Sequence, residues 1–396
     1  MNQIKILGVI ALLSILAACR KSGPSALSLS SGAKASTSGM GGYNLTSVND
    51  RAIAVDFNGV GSTGKMDHIL LYRPGAGLIS IMQNNSNSFS PIWQSTTGIG
   101  GYDLLGGPRT ASDNALDLAA DKIIAFDYTS SGHNDCLLCY RPGTKTVWIL
   151  QWRLKTESWV PVFQSSTGIG GFDLSEVQDK IIAFDYNGSG KMDHLLIYRS
   201  GSAATVWILK NVNGTFSPVF EGGGIGGYNM NQLQDQIIAY DWNSSGLMDH
   251  LVCYRPGNEA VWVLQNVNGS FSPVYQTSSG FPQFSVGLPQ DRIFAYDFTG
   301  NGHQDALFCY RPGTGVFAVE QRNSGGFNSN FSSLGQGLAG YAFPYDPTYV
   351  DGYIGDRGFA FDNQSIGQNT GLVFYDAGTN LIDVLNNNNE SITQVF

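Results

Sequence analysis

Six times along this chain an aspartate opens a short loop built on one plan. The clearest copy runs Asp185-Tyr-Asn-Gly-Ser-Gly-Lys-Met-Asp193, with oxygen-bearing side chains at positions 1, 3, 5 and 9 and Gly190 at position 6. Asp241, Asn243, Ser245, Gly246 and Asp249 repeat it. So do Asp127, Thr129, Ser131, Gly132 and Asp135, and again Asp297, Thr299, Asn301, Gly302 and Asp305. Asp56 and Asn58 open a copy that reaches Asp67 after three extra residues, and Asp362 opens the last, where Thr370 stands in the closing position. The first Asp recurs at intervals of 71, 58, 56, 56 and 65 residues. Periods of this length specify an array of supersecondary units, and that array restricts the fold more than any local propensity does.

Around the Asp185 loop the unit divides into four apolar segments. Lys180 to Tyr186 is rich in isoleucine and aromatics and reads as a buried strand. His194 to Arg199 and Thr205 to Val212 follow, then an Asn213-Gly214 hairpin turn and Thr215 to Glu221. Pro218 lies inside this fourth strand, as Pro91, Pro161 and Pro273 do in their copies, which confines it to the sheet edge. Four antiparallel strands per unit, repeated radially, make a β-propeller.

Asp50, Asp121, Asp179, Asp235, Asp291 and Asp356 each stand six residues before a loop's first Asp and mark six units. Each unit is followed by a linker such as Gly168-Ile-Gly-Gly-Phe-Asp-Leu174, except the last, which stops at Phe396. The missing linker is Gly39-Met-Gly-Gly-Tyr-Asn-Leu45 near the start of the chain. Joining the two ends closes a ring and leaves no open sheet edge. The expected fold is therefore all-β, one propeller of six four-stranded blades over residues 39–396. Seven blades is the alternative if 106–120 or the Tyr-rich 334–355 hides further strands.

The first 38 residues stand outside this pattern. Lys5 precedes an apolar run from Ile6 to Leu16 that is too short to span a bilayer and suits a signal-peptide core. Leu16-Ala17-Ala18-Cys19 resembles the bacterial lipobox. That resemblance implies lipidation of Cys19, a flexible tether over 20–38 and export to a bacterial membrane surface. With no Asp after Cys19, the outer membrane is the expected destination, and the lipid is the only expected contact with a membrane.

Composition removes some function classes. Net charge is −9 and Lys and Arg number only 22 of 396 residues, so nucleic acid is excluded as a partner. The five histidines all sit in or beside the repeated loops, and no serine elbow, zinc triad or phosphate loop appears. The expectation is a protein that is not an enzyme. Cys139, Cys253 and Cys309 occupy a slot that holds Leu71 and Ile197 elsewhere, and they read as small buried hydrophobes.

Two sets of residues are candidates for binding. The loops offer carboxylate, amide and hydroxyl oxygens that suit calcium in a stabilising role. The third and fourth loops are favoured over the second and fifth, which carry Thr at position 3. The alternative is a turn in which Asp caps its own backbone. On the opposite face, strand alternation gathers Arg73, Arg141, Arg199, Arg255 and Arg311 near Tyr102, Phe172 and Tyr228, with Trp148, Trp207 and Trp262 just inside. Aromatic faces and guanidinium forks suit sugar rings and their hydroxyls. The alternative there is that the aromatics pack between blades while each Arg pairs with the repeated Asp.

The loop pattern resembles the FG-GAP repeat of integrin α-chain propellers, in which the equivalent loop binds calcium. The fuller unit adds Tyr-Arg-Pro-Gly at 140–143, 254–257 and 310–313, and Val-Trp-Ile/Val-Leu at 147–150, 206–209 and 261–264. With the Gly-Ile-Gly-Gly-aromatic linker it resembles the propeller lectins typified by the Psathyrella velutina and Photorhabdus lectins. Those have seven blades. This resemblance implies a lectin-like surface lipoprotein binding fucose- or N-acetylglucosamine-containing glycans at several weak sites between blades. A scaffold for surface proteins is the second expectation, and a polysaccharide-active enzyme with its site in 334–355 the third.

Overall fold

The computed structural model describes residues 37–59, 61–107, 119–343, 356–388 and 390–396. Cys19, the tether up to residue 36, and most of the 106–120 and 334–355 stretches lie outside the described residues. The fold is all-β, six four-stranded antiparallel blades in a ring. In the third blade the strands are Asp179–Phe184, His194–Arg199, Thr205–Val212 and Thr215–Gly222. The first ends two residues before the expected Tyr186 because Asp185 turns its carboxylate into the loop that follows.

Each fourth strand carries the sheet edge and, in blades one to five, a bulge. Leu209 pairs with Pro218 where the register shifts after Ile208, and Met82, Leu150 and Leu264 meet Pro91, Pro161 and Pro273 in the same way. Proline is tolerated there because a bulged edge position has no ladder bond for it to donate.

The hydrophobic core is a series of slabs between blades. Cys136, Leu138 and Ile149 of the second blade meet Ile181, Leu195 and Ile197 of the third, with Ile169 and Phe172 of the connecting linker packed among them. All are nearly or wholly excluded from water. Burial on this scale contributes about 1.5–3 kcal/mol per large side chain. Gly168 shows why the linker sequence is fixed. Its φ is +93°, and a Cβ there would lie 1.9 Å from the carbonyl oxygen of Phe172.

The ring closes as the two chain ends require. Thr37–Ser38 pairs with Leu381 and Ile382 of the sixth blade, whose own outer strand is only Ser391–Gln394. Asn380 receives the Gly39 amide on its carbonyl and the Leu45 amide on its side chain at 2.6 Å. The segment 39–45 thus serves the sixth blade as the other linkers serve theirs. Residues 334–343 likewise continue as an ordinary linker, with Leu338 and Tyr341 bridged and Phe343 buried.

Candidate functional site

The Arg-Pro-Gly face is a set of internal clamps. In the third blade Arg199 donates Nε to Asp179 Oδ1 at 2.6 Å and Nη2 to Asp179 Oδ2 at 2.8 Å, and its guanidinium carbon lies 5.2 Å from the Phe172 ring centroid. Arg73 on Asp50, Arg141 on Asp121, Arg255 on Asp235 and Arg311 on Asp291 repeat this two-point pairing. Each sits over the aromatic of the linker before its blade: Tyr43, Tyr102, Tyr228 and Phe284. Tyr43 and Phe284 belong to this set: Tyr43 holds the aromatic place of the displaced linker, and Phe284 that of a linker that departs from the Gly-Gly pattern. Where the ring is tyrosine, its hydroxyl joins the same Asp, as Tyr102 does on Asp121 at 2.7 Å.

The carboxylates so held are fully buried, and the tryptophans are half-buried. Trp148, Trp207 and Trp262 meet Tyr102, Phe172 and Tyr228 edge-on, with centroids 5.7–5.8 Å apart. Their six-membered rings lie against Gly101, Gly171 and Gly227 of the linkers. The eleven residues expected to meet sugars hold the linkers to the blades. The sixth blade has Asp376 in the arginine slot. There burial pushes Asp356 up to about 8, and the Tyr341 hydroxyl donates to it.

The oxygen-rich loops form turns that cap themselves. Asp185 accepts the amides of Ser189 and Gly190 at 2.9 and 2.8 Å, and Asp127, Asp241 and Asp297 do the same from Ser131, Ser245 and Asn301 and the glycine after each. Even Asp56 takes the amides of Thr63 and Gly64 across its enlarged loop. Position 3 and 5 side chains at Asn187, Ser189, Asn243 and Ser245 are exposed. The closing acids of loops three and four are engaged by the histidine that follows: His194 Nδ1 lies 2.7 Å from Asp193, and His250 Nδ1 2.6 Å from Asp249. In the second loop Thr129 donates to Asp135. Asp135 Oδ1 of the second loop is nonetheless buried without a hydrogen-bond partner, and the fifth loop has two such oxygens. Asp305 Oδ1 and Thr299 Oγ1 are buried with no hydrogen-bond partner, and Asp305 is only 3% exposed.

The third feature is a central channel. The blades' first strands, Arg51–Val55, Lys122–Phe126, Asp179–Phe184, Gln236–Tyr240, Arg292–Tyr296 and Arg357–Phe361, surround a cavity of about 430 Å³. Tyrosine hydroxyls fasten these strands to one another. Tyr72 accepts the Ile123 amide, Tyr140 that of Ile181, Tyr198 that of Ile237, Tyr254 that of Ile293 and Tyr375 that of Ala52, at 3.0–3.3 Å.

The residue immediately after each repeated Asp faces this cavity. In five blades it is a cation: Arg51, Lys122, Lys180, Arg292 and Arg357, with Gln236 in the remaining place. Arg51 donates to the carbonyls of Val48 and Asp50, Arg292 to those of Pro289 and Asp291, and Arg357 to that of Asp50. Lys180 reaches Gln236 Oε1 at 3.0 Å. Carbonyl and amide contacts help hold these groups at the channel wall. Among the lining residues Asp356 is acidic, and its raised pKa keeps it largely protonated at neutral pH. This collar was missed in the sequence because the cation is one residue per blade inside an apolar strand. The available signal was its fixed place after the repeated Asp.

No family model matches the chain, and no curated protein matches it in sequence. Distant solved structures resemble it in fold. AofleA from Arthrobotrys oligospora is 9% identical, with 87% of this chain and 89% of that one covered and a TM-score of 0.45. A candidate 6-phosphogluconolactonase from Bacteroides fragilis is 8% identical, covering 87% and 82%, with a TM-score of 0.43. The periplasmic gluconolactonase of Pseudomonas aeruginosa is 10% identical, covering 83% and 81%, with a TM-score of 0.39. At this distance they carry no argument about chemistry. The expectation of a non-enzymatic glycan-binding surface is nonetheless corrected. Its arginines pair with buried aspartates and its aromatics pack on them in clamps.

Proposed function

We propose that this propeller is a ligand-binding protein whose site is the cationic mouth of the central channel, and that its ligand is a small anion. The observation that carries this reading is the convergence of five cationic side chains on one cavity in a chain of net charge −9. An anion in a partly enclosed volume lined by several cationic side chains is attracted by all of them at once. Low-dielectric walls strengthen the attraction. A rigid ring of blades presents the five groups already ordered, which reduces the entropy lost on binding.

The test is calorimetric titration of the full chain with inorganic pyrophosphate at low ionic strength. Binding should weaken as salt rises and fall at least tenfold in a Lys122→Gln/Arg292→Gln double variant. Gln236 already occupies an equivalent position, so glutamine is compatible with the fold there. Absence of binding, or affinity unchanged in the double variant, overturns the reading.

A second reading concerns the fifth loop, whose resemblance to FG-GAP loops meets a specific observation. The orphaned oxygens of Asp305 and Thr299 are donors of the type calcium takes, and Asp297 and Asn301 stand in the same loop. A cation there would be structural, and thermal melting with and without chelator tests for it.

A further inference from the structure

The seam between the fourth and fifth blades departs from the others. On the third strand of four blades an asparagine ties its blade to the loop of the preceding one. Asn211 donates its side-chain amide to the Tyr128 carbonyl at 2.8 Å, and Asn266 to that of Tyr186 at 2.6 Å. Asn84 reaches the Asn363 carbonyl and Asn387 that of Phe298 in the same way. In the fifth blade this slot holds Arg322, which follows Gln321 as Asn266 follows Gln265. The residue facing it is Trp242, next after its loop's first Asp as Tyr128 and Tyr186 are in theirs. Arg322 makes no bridge to it. Its guanidinium carbon lies 4.9 Å from the Trp242 ring centroid, and the seam opens there into a cavity of about 460 Å³ beside the oxygen-rich loops. The second blade is the other exception, but its Trp152 packs edge-on against Phe57 and the cavity beside it is only about 130 Å³.

We infer that this seam is a second binding site, separate from the channel, and that it takes a small organic carboxylate with an apolar body. Arg322 is exposed and makes no ion pair among the described residues. Its contact with Trp242 uses the guanidinium face and steadies the side chain, which leaves the N–H edge for a ligand. A carboxylate matches that edge with two parallel hydrogen bonds. Asn243, Gln265 and Asn323 add amide groups to the wall, and no Asp or Glu lines the cavity. One cation balances one negative charge, so a monoanion suits the site better than a phosphate dianion, whose second charge would stay unpaired. The apolar body has its own wall. Val274 is 38% exposed, and the half-buried Tyr275 stands where the second, third and fifth blades carry Phe163, Phe220 and Phe331. An aromatic ring resting on these two residues leaves water. The volume lies within the range of small-molecule pockets, roughly 300–1,000 Å³.

The experiment is calorimetric titration of the full chain with phenylacetate, and with phenylacetamide, phenethylammonium and acetate as comparisons. Phenylacetate should bind, and the amide and the ammonium, which cannot engage the guanidinium edge as a carboxylate does, should be weaker by about tenfold or more. Acetate, which lacks the ring, should be weaker by about the same factor. Arg322→Asn introduces the side chain that four other blades carry at this place, so it should fold and melt no lower than the parent. Its affinity for phenylacetate should fall about tenfold or more. Lys122→Gln/Arg292→Gln should bind phenylacetate as the parent does, which separates the seam from the channel. Phenylacetate binding that survives Arg322→Asn, or that disappears in the channel variant, overturns the seam site. So does a parent that fails to bind phenylacetate or binds the amide equally well, and that comparison decides the matter even if Arg322→Asn does not fold.

Discussion

Glu320 breaks the repeat in a way that stability measurements can read. In the other blades its slot on the third strand holds Met82, Leu150, Leu209, Leu264 and Leu385, which pack between blades. Glu320 is fully buried, accepts the Ser329 hydroxyl at 2.6 Å and the Gln283 amide at 3.4 Å on Oε1, and has no partner on Oε2. Burial raises its carboxyl from 4.5 to about 7, against the two hydrogen bonds. Tyr275 and Cys309 are close enough to feel its charge, and both stay neutral over the range considered.

The sign of the linkage follows. Between about 4.5 and 7 the folded protein holds a proton that the unfolded chain has released, so stability falls as pH rises through that window and levels off above it. At 1.36 kcal/mol per pH unit the full loss is about 3 kcal/mol. Glu320→Leu removes the loss and restores the side chain used elsewhere, but leaves the Ser329 hydroxyl and Gln283 amide unpaired at about 1 kcal/mol each. The variant should therefore gain about 1–2 kcal/mol at pH 8 and be equal to or below the parent at pH 4.5. Urea denaturation of both proteins across that range measures it. The same pH slope in the two proteins, or a less stable variant at pH 8, would refute the account of Glu320 as a buried, proton-holding acid.

Three other outcomes can be checked with the same assay. Gly168→Ala should cost about 2–4 kcal/mol because the methyl meets the Phe172 carbonyl at positive φ, whereas Gly132→Ala, with nothing within 4 Å, should cost about 1 kcal/mol. A similar cost at both sites would remove steric contact as the cause. Arg199→Ala should destabilise by about 3 kcal/mol by leaving Asp179 buried without its partner, and Arg199→Lys should recover only part of this because an ammonium cannot make the two-point contact. Full recovery by lysine would reduce the clamp to a simple charge pair. Chelator should lower the melting temperature of the parent, and Asp305→Asn should abolish that response while Asp193→Asn leaves it. A melting curve indifferent to chelator withdraws the cation from the fifth loop.

The ring was legible because its marks are written six times. Asp50 to Asp356 give the blade count, the proline at four of the five bulged edge strands gives the strand order, and the displaced linker at 39–45 gives the closure. The candidate sites were less legible for a reason that the same repetition supplies. A residue type that recurs at one position in every blade is conspicuous whether it meets a ligand or holds the blade to its neighbour. Sequence spacing cannot tell Arg199 on a sugar from Arg199 on Asp179. What separates them is the burial of the carboxylate twenty residues earlier, a tertiary fact. The same limit applies to the loops. Positions 1, 3, 5 and 9 match a cation's needs, but Asp185 meets its neighbours' amides first, since those N–H groups are supplied by the turn itself.

The departures from the repeat carry the complementary information. Gln236 among the cations of the collar, Glu320 among leucines and Asp376 among arginines are each invisible to a consensus and evident against it. Structural demands act alike on every blade of a symmetric ring, so a substitution confined to one blade is tolerated only where the fold does not depend on that side chain. By this argument the frame does not require one particular side chain at the collar position. The Asp and Tyr that build the frame are present in all six blades, while the residue after the Asp varies among Arg, Lys and Gln.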